Sequence, residues 1–414
     1  MFSPACVIGV LPAGGFCARR CWRRRWLIFA CAICFDIPNN AVNRVKLMTD
    51  GGWLVVGGGP VALALAAARG KNHNGEVLLI RPKPQAARER HYALNENSAR
   101  FLASLDAMPP VCEVRFFHLH TGNDKKPAAR ISAADAGLPR LCAIAREEDL
   151  MHALQKAVKK TAQVIEDNPW QQCHWDDNGI ILTAGKEKKS GNKGESKSYR
   201  GRFLAVADGA NSPLARLLGV HSARHCFQQT ALTATVNAEM DNDCAAQWFD
   251  DFDTLALLPL SSSSSVGGIF SLIWSLPNDK AQAIAAAGNL AAEATKRTGI
   301  KITAANKTAA YPLVASRRAV RALPNVVFVG DSAATIHPLA GQGLNLGFAD
   351  AAQLADIKDT ADLSPYLRRS QKRADVWHGI TRSLCYGIVA QAALFAAARS
   401  PFLRSRAARL ANLF

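Results

Sequence analysis

The chain has 414 residues and a formal net charge of +17 at pH 7, so it can bury a large core and favours anionic partners such as a phosphate-rich cofactor or a membrane surface. It shows neither zinc-finger spacing nor an RNA-binding signature, so we expect no nucleic-acid partner and no metal site. After residue 47 the cysteines are scattered without a C-x-x-C pair, which indicates small buried thiols in a reducing, cytoplasmic compartment.

The first 47 residues differ in composition from the rest of the chain. They hold the basic stretch RRCWRRRW at Arg19 to Trp26, five of the eleven cysteines, and an apolar run of ten residues from Trp26 to Phe35. Because about 20 residues are needed to span a bilayer, this run is too short to cross one. We expect the working protein to start at or near Met48, with residues 1–47 an unstructured or vestigial extension. A membrane-targeting segment is the alternative.

The first predicted strand, Trp53 to Val56, leads directly into the sequence GGGPVA and then into an alanine-rich helix. In this G-x-G-x-x-A pattern Gly57 permits a tight turn, Gly59 lets a pyrophosphate approach the backbone, and Ala62 allows the helix to pack closely on the strand. The alternative is a tight strand-to-helix turn that binds no nucleotide.

A second strand, Glu76 to Ile80, follows, and Arg81 stands where an acidic residue usually binds a ribose hydroxyl. An arginine at this place either accepts a 2′-phosphate or is solvated. The cluster around Arg90 reads as a charged loop, and Arg146 to Val158 is an amphipathic helix.

Asp208-Gly209 ends a third apolar strand, and Ser212-Pro213 then begins a short helix with a good N-cap. By itself this motif is consistent with an ordinary strand-to-helix connection. The block from Cys226 to Val314 is mostly strands, which predicts a β-sheet substrate domain inserted between the cofactor-binding pieces. It holds no Ser/His/Asp or Cys/His arrangement, so we predict no catalytic side chain.

The stretch from Val326 to Gly347 reads VVFVGDSAATIHPLAGQGLNLG. A buried strand is predicted to end at Gly330, and Asp331 follows as an acceptor for a sugar-type hydroxyl. The later turn, Gly341-Gln342-Gly343, enters a helix. Unsatisfied N–H groups and the helix dipole make such a turn an anion site. A joint without a ligand is again the alternative.

After Asp350 the pattern is helical. The last part, Leu384 to Phe414, combines large apolar residues with four arginines, Arg399, Arg404, Arg406 and Arg409. This pattern is consistent with a helix packed on the domain, and equally with a basic contact on an anionic membrane surface.

Three motifs in this order, GGGPVA, ADGANS and GDSAATIHPLAGQGLNLG, resemble those of the group A FAD-dependent aromatic hydroxylases, of the p-hydroxybenzoate hydroxylase fold. Within them the chain is most similar to the ubiquinone-biosynthesis hydroxylases of the UbiH/UbiF/VisC type, and RHYAL at Arg90 to Leu94 and WSLP at Trp274 to Pro277 support this. Arg81 and the first 47 residues depart from the family pattern.

The resemblance implies an α/β fold: a Rossmann-like FAD-binding domain with an interleaved β-sheet substrate domain and C-terminal helices. The predicted FAD-binding pieces are residues 48–112, 142–225 and 308–360; the substrate pieces are 113–141 and 226–307, and the C-terminal helices are 361–414. The implied cofactor-binding residues are Gly57, Gly59, Ala62, Arg90, Arg146, Asp208, Gly209, Gly330, Asp331, Pro338, Gly341, Gln342, Gly343 and Asn345. His337 is expected to be a structural hydrogen-bonding residue.

The resemblance also implies that NAD(P)H reduces the FAD, that O₂ adds to give a C4a-hydroperoxide, and that the hydroxyl passes to a polyprenylated phenol in ubiquinone biosynthesis. Such a substrate predicts a peripheral contact with the inner face of the membrane, and a ubiquinone-biosynthesis complex as a partner. A reductase or halogenase of the same fold, or a non-catalytic flavoprotein subunit, is the alternative.

Overall fold

The computed structural model describes residues 45–47, 52–73, 76–83, 89–122, 126–167, 170–177, 179–185, 196–250, 253–261, 267–304, 306–337, 341–358 and 363–386. Its strands are β1 (Val45–Leu47), β2 (Trp53–Val56), β3 (Val77–Arg81), β4 (His91–Leu94), β5 (Val111–Val114), β6 (Phe116–Thr121), β7 (Ala129–Ser132), β8 (Cys142–Arg146), β9 (Gln163–Glu166), β10 (Trp170–Asp176), β11 (Gly179–Gly185), β12 (Ser196–Gly201), β13 (Phe203–Val206), β14 (Ser222–Ala238), β15 (Cys244–Asp250), β16 (Asp253–Pro259), β17 (Gly268–Pro277), β18 (Ile302–Ala304), β19 (Ala309–Arg318), β20 (Ala322–Leu323), β21 (Val326–Phe328) and β22 (Ala334–Thr335). Its α-helices are α1 (Pro60–Asn72), α2 (Glu96–Ser104), α3 (Ala133–Ala136), α4 (Glu147–Thr161), α5 (Pro213–Leu217), α6 (Asn278–Ala287), α7 (Leu290–Thr298), α8 (Gln342–Ala355) and α9 (Leu363–Tyr386), and a 3₁₀ turn spans Gly330–Ser332.

A central sheet has the order β20-β21-β13-β2-β3-β9, and each of the three sequence motifs follows one of its strands, β2, β13 or β21. All of its pairings are parallel except that of β20 with β21. Its inner strands β2, β13 and β21 are continuously apolar because both faces are covered. Trp53 and Val55 belong to the core that includes α1, α4 and α8, whereas Leu54 and Val56 belong to a core on the other face.

That second core is closed by a four-stranded sheet in the order β1-β12-β11-β10, which contributes Leu182 and Tyr199 to it. β1 pairs in parallel with β12 and lies upstream of Met48. The predicted boundary therefore differs from the structure by these three residues, since the end of the predicted extension has a strand partner. Residues 1–44, which make up the rest of it, lie outside the described residues.

A nine-stranded sheet runs β22-β19-β14-β17-β16-β15-β6-β7, with β18 paired to β14. Because side chains alternate between the faces of a strand, the large apolar residues of β14, β16 and β17 fall on one face, where they pack with α6 and α7. Residues 116–132 join the edge of this sheet through β6, which pairs with β15. The predicted α/β fold with an interleaved β-sheet domain is confirmed.

The described C-terminal helix, α9, packs on α8 through buried charges. α8 lies against α1 and α9, and Asp350 on α8 accepts hydrogen bonds from Arg373 at 2.6 Å and Ser370 at 3.2 Å on α9. No helix among the described residues is both long and apolar enough to span a bilayer. The predicted basic segment is Leu384 to Phe414, and its part beyond Tyr386 lies outside the described residues.

Candidate active site

A cavity of about 1260 Å³ opens between the central sheet and the nine-stranded sheet. It exceeds the roughly 300–1,000 Å³ of pockets for drug-sized ligands, so it has room for a large cofactor and a second molecule. Seven of the predicted cofactor-binding residues line it: Gly59, Arg90, Gly209, Asp331, Gly341, Gln342 and Gly343.

Two helices begin at this cavity without a side-chain cap. The N-caps are Gly59 for α1 and Gly341 for α8, and neither helix start is capped by a side chain. A Cβ on Gly59 would meet no atom within 4 Å, and one on Gly343 would meet only Ile336, at 4.0 Å. The first N–H groups of both helices are therefore open to an anionic or polar ligand.

Other predicted glycines hold these turns in place from behind. Gly57 has φ +145°, and a Cβ there would lie 2.2 Å from the carbonyl oxygen of Ala207 on the neighbouring strand end. Gly330 has φ +59° and packs against Val61 of α1. Ala62 is buried against Gly57. None of Gly57, Gly330 and Ala62 is among the cavity-lining residues, so their contribution is to the shape of the turns.

Asp331 combines access to the cavity with a position deep in the protein. It follows β21 in the 3₁₀ turn, and its side chain is exposed on the cavity side. Burial raises the pKa of this carboxyl, and the charge of Arg90 opposes the rise. No hydrogen bond to a described residue engages its oxygens, so the side chain is free to accept one from a ligand hydroxyl.

Arg90 lies over the ring of Tyr311, with 5.1 Å between the guanidinium carbon and the ring centroid. Burial lowers the pKa of Arg90, but Tyr92, Tyr311 and Glu147 outweigh it and the net shift is upward, so the side chain is a fixed cation. Tyr92 in turn donates to Glu147 at 3.2 Å. The partners Tyr92, Tyr311 and Glu147 were not predicted. Tyr92 and Glu147 are close in sequence to Arg90 and Arg146, whereas Tyr311 is distant from both and had no sequence signal.

Asp208 and Gly209 divide their roles. Gly209 has φ +88° and lines the cavity, whereas Asp208 accepts a hydrogen bond from the N–H of Leu214 at 3.2 Å at the start of α5. Burial raises the pKa of Asp208, and its hydrogen bonds to Ser212 and Leu214 oppose the rise. Asp208 is thus a cap for α5 that shapes the loop carrying Gly209 into the cavity.

Asn345 joins α8 to the strand that precedes α2. Its Nδ2 donates to the carbonyl of Ala93 at 2.9 Å, and its Oδ1 accepts from the N–H of Asn95 at 3.1 Å. It also contacts Gln342 at 3.2 Å. Asn345 is absent from the cavity lining, so it fixes the α8 turn from behind.

Three further residues singled out by the sequence are Arg146, Arg81 and Pro338. Arg146 is the exposed N-cap residue of α4 and is absent from the cavity lining. Arg81 is largely buried and pairs with Glu166 of β9 at 3.2 Å, so it is not simply solvated. Pro338 lies outside the described residues.

His337, the residue before Pro338, is buried. Its Nε2 lies 3.2 Å from Oε1 of Gln229, and its ring meets Phe227 edge to face. Burial lowers the pKa of His337 to about 4, so the ring is neutral at pH 7. These contacts agree with the structural role expected from the sequence.

The far side of the cavity is formed by one face of β15, β16 and β17, here termed the strand wall. It consists of Gln247, Phe249, Thr254, Ala256, Leu258, Ser271, Ile273 and Ser275. Every one of these side chains is uncharged, and three of them are hydroxyls. In the described part of the chain no group of three or more His, Cys, Asp or Glu side chains is placed to hold a metal ion.

The geometry fits FAD. Two uncapped helix starts can receive a pyrophosphate or a reduced isoalloxazine, and Asp331 can accept from a ribityl hydroxyl. A model of the FAD binding domain family matches residues 53–357.

The chain belongs to this family. It is an FAD-dependent monooxygenase of the aromatic hydroxylase type, as the motifs predicted. It is 26% identical over 381 residues to ubiquinone biosynthesis monooxygenase COQ6 from Homo sapiens, covering 74% of this chain and 75% of that protein. It is 29% identical over 325 residues to 3-demethoxyubiquinol 3-hydroxylase from Escherichia coli K12, covering 73% and 78%.

The fold is shared with p-nitrophenol 4-monooxygenase PnpA from Pseudomonas putida DLL-E4. The TM-score is 0.71 at 18% sequence identity, and the match covers 89% of this chain and 99% of PnpA. At that identity the likeness concerns the fold alone.

Proposed function

We propose that this flavoprotein hydroxylates the ring of a polyprenylated phenol in ubiquinone biosynthesis, with NAD(P)H as the electron donor and O₂ as the oxidant. The observation that supports the proposal most is that one cavity unites the cofactor turns with an uncharged wall. An uncharged, partly apolar wall suits a neutral aromatic ring, and related proteins named as ubiquinone-biosynthesis enzymes cover about three quarters of this chain.

Each group of residues has a role in holding the reactants. The α1 start at Gly59 would hold the pyrophosphate, Arg90 would supply a cation in the same cavity, and Asp331 would accept a hydrogen bond from the ribityl chain. The α8 start at Gly341 and Gly343 places N–H groups and the positive helix end where negative charge develops on reduction. Bound FAD supplies oxygen activation and hydroxyl transfer, chemistry that belongs to the cofactor.

The strand wall orients the substrate and excludes water. Its side chains are mostly buried: the exposed fraction is 8% for Thr254, 3% for Ser271 and 4% for Ser275. Such a dry surface protects a reactive site from competing hydrolysis and strengthens each polar contact made there. Ring orientation at this wall, rather than a nucleophilic side chain, is the contribution that we assign to the protein.

The proposal is tested with purified protein that retains FAD. NAD(P)H oxidation should be stimulated by a short-chain 2-prenylphenol, and the product should gain one oxygen atom by mass, with ¹⁸O derived from ¹⁸O₂. Complementation of strains lacking each ubiquinone hydroxylase then identifies the ring position. Oxidation of NAD(P)H without a hydroxylated product from any prenylphenol, together with failure to complement, contradicts the proposal.

We also propose that the protein works at the inner face of the membrane, because a polyprenylated phenol resides there. Trp377 and Ile380 of α9 line the cavity, and exposed cations Arg368, Arg369 and Lys372 lie on the same helix. The sequence then continues into the basic segment Leu384 to Phe414. An arginine near an anionic surface contributes about 1 kcal/mol to attachment, so the four arginines of this segment can give reversible binding.

Replacing Arg399, Arg404, Arg406 and Arg409 with glutamine tests this attachment. The variant should no longer bind anionic liposomes. It should lose turnover of a long-chain substrate while keeping turnover of a short-chain one. Equal binding to anionic liposomes by both proteins argues against it. The alternative is that a ubiquinone-biosynthesis complex holds the protein at the membrane. Co-purification of this protein with other ubiquinone-biosynthesis proteins from cells tests that alternative.

A further inference from the structure

Most ionisable side chains that line the cavity are already engaged. Arg90 is held between Tyr92 and Tyr311, and Tyr92 donates to Glu147. Asp331 is assigned above to the cofactor. These groups are therefore committed before a substrate enters.

The remaining charged groups of the lining are also paired. Arg224 donates to Asn211 at 2.6 Å, and Glu89 accepts from Asn306. Burial raises the pKa of the Cys142 thiol to about 12, so it stays protonated. His91 is the ionisable lining residue of the described chain that is left.

His91 joins the two parts of the site. It is the first residue of β4, the strand whose Ala93 is tied to α8 through Asn345. Its Nδ1 lies 3.1 Å from Oγ of Ser271, which belongs to the strand wall. The histidine therefore stands where the α8 turn and the substrate wall meet.

The second ring nitrogen of His91 is open. Among the described residues Nε2 has no hydrogen-bond partner, and the atom is not sealed off from the cavity that the residue lines. Burial, with the nearby charge of Arg146, lowers the pKa of His91 to about 4, so the ring is neutral at pH 7. In the tautomer that donates its Nδ1–H to Ser271, the neutral ring carries a lone pair at Nε2.

We propose that His91 is the residue that accepts a hydrogen bond from the ring hydroxyl of the substrate, through Nε2, and that Ser271 positions the imidazole for this contact. The inference rests on the proposed function, since it requires a phenol in the cavity. The hydrogen bond orients the ring against the strand wall and places extra electron density on the phenol oxygen, so His91 selects a free hydroxyl over an ether.

A pair of matched ligands tests this contact without turnover. 2-Allylphenol carries the hydroxyl, whereas 2-allylanisole, its methyl ether, has no hydrogen to donate. The dissociation constant of each is measured on the FAD-bound protein from the change in flavin absorbance in the absence of NAD(P)H. Wild-type protein should prefer the phenol by about five- to tenfold, the worth of one net hydrogen bond.

Four variants separate the contact from a general effect on the fold. His91→Leu should bind both ligands equally. His91→Gln, which keeps an amide oxygen near the Nε2 position, should recover part of the preference. Ser271→Ala should reduce the preference for the phenol. In a separate turnover assay with the short-chain 2-prenylphenol, it should raise KM more than it lowers kcat. His174→Leu, on β10 and away from the cavity, is the control and should keep the full preference.

The outcomes separate this inference from the proposed function. If His91→Leu keeps the wild-type preference while still holding FAD, the role of His91 is wrong and the proposed function stands. If wild-type protein binds no phenol of any chain length, the proposed function fails and this inference fails with it. Loss of the preference in His91→Leu, partial recovery in His91→Gln and full preference in His174→Leu support the assignment.

Discussion

Asp331 lines the cavity, and no described residue makes a hydrogen bond to its carboxylate, so its oxygens are available to a ligand. Asp331→Ala should therefore weaken FAD binding by about 1–3 kcal/mol, because a ribityl hydroxyl loses its acceptor. Without FAD, the Asp331→Ala protein should be no less stable than wild-type apoprotein, since burial already disfavours the charged carboxylate.

Asp331→Asn keeps an acceptor oxygen and is the matched control for this change. FAD affinity is measured by titrating apoprotein and following flavin fluorescence, and stability by chemical unfolding of the same samples. Equal FAD affinity in wild type and Asp331→Ala would show that the carboxylate contacts no ligand hydroxyl.

His337 gives a prediction about acid stability. Its pKa lies at about 4 in the folded protein, below its ordinary value of 6.5, because of burial. The unfolded chain therefore binds a proton that the folded protein does not, and the free energy of unfolding should fall as the pH falls from about 6.5 to 4. The loss from this residue amounts to about 3 kcal/mol at most.

Comparison with His337→Gln isolates this loss, because His91, whose pKa is lowered in the same way, is present in both proteins. Chemical unfolding at pH 7 and at pH 4.5 should show wild type losing more stability than the variant. The same difference between the two proteins at both pH values would assign the acid loss to other groups.

At the residue scale, sequence patterns located the turns but not which side chain faces the ligand. Gly59 and Gly57 share one motif, yet Gly59 lines the cavity and Gly57 packs under a neighbouring carbonyl. Asp208 is predicted to bind the cofactor, and in the structure its side chain accepts from the N–H of Leu214 at the start of α5 while its neighbour Gly209 lines the cavity. His91 carried no local signal, because its partner Ser271 is distant in sequence.

Among the elements, the joint between α8 and α9 depends on a buried ion pair. Asp350 and Arg373 meet at 2.6 Å with side chains 8% and 7% exposed. Asp350→Ala should destabilise the protein by about 3–5 kcal/mol, because Arg373 is left buried without its partner. Thermal and chemical unfolding measure this loss.

The same helix provides the control. Asp375 of α9 pairs with Arg317 at 2.8 Å, but those side chains are 40% and 50% exposed. Asp375→Ala should cost no more than about 1 kcal/mol, since solvent screens the pair. Similar losses from Asp350→Ala and Asp375→Ala would mean that burial does not govern this joint.

Periodicity found most elements because pattern and packing agree. The predicted strand Trp53 to Val56 matches β2, and the predicted amphipathic helix from Arg146 corresponds to α4. β14 pairs with β19 along most of its length, and the register of that pairing shifts between Cys226 and Thr230. That irregularity includes Gln228 at φ +57°, a conformation that a side-chain pattern does not encode.

For the whole molecule, the cavity arises where separate stretches of the chain meet. The turns that carry Gly59, Gly209 and Asp331 follow strands of the central sheet, the α8 turn follows β22 in the chain, and the strand wall comes from residues 244–277. The side chains of β16 and β17 alternate between two faces, but this alternation does not indicate that the face of small and polar residues closes on Arg90, His91 and the α8 turn. Long-range pairing of this kind has no local sequence signal.

Among the first 47 residues, Val45–Leu47 form the edge strand β1 beside β12. Ordering three residues costs about 1–2 kcal/mol each in backbone entropy, and each ladder hydrogen bond returns about 0.5–1.5 kcal/mol, so the net contribution of β1 is small. Proteins lacking residues 1–41 and residues 1–47 should both retain FAD and unfold within about 1 kcal/mol of each other. FAD content, unfolding midpoint and solubility are measured side by side, solubility because loss of β1 bares the edge of β12. Loss of FAD or aggregation in the shorter protein alone would give β1 a structural role, and the same loss in both would assign one to residues 1–41.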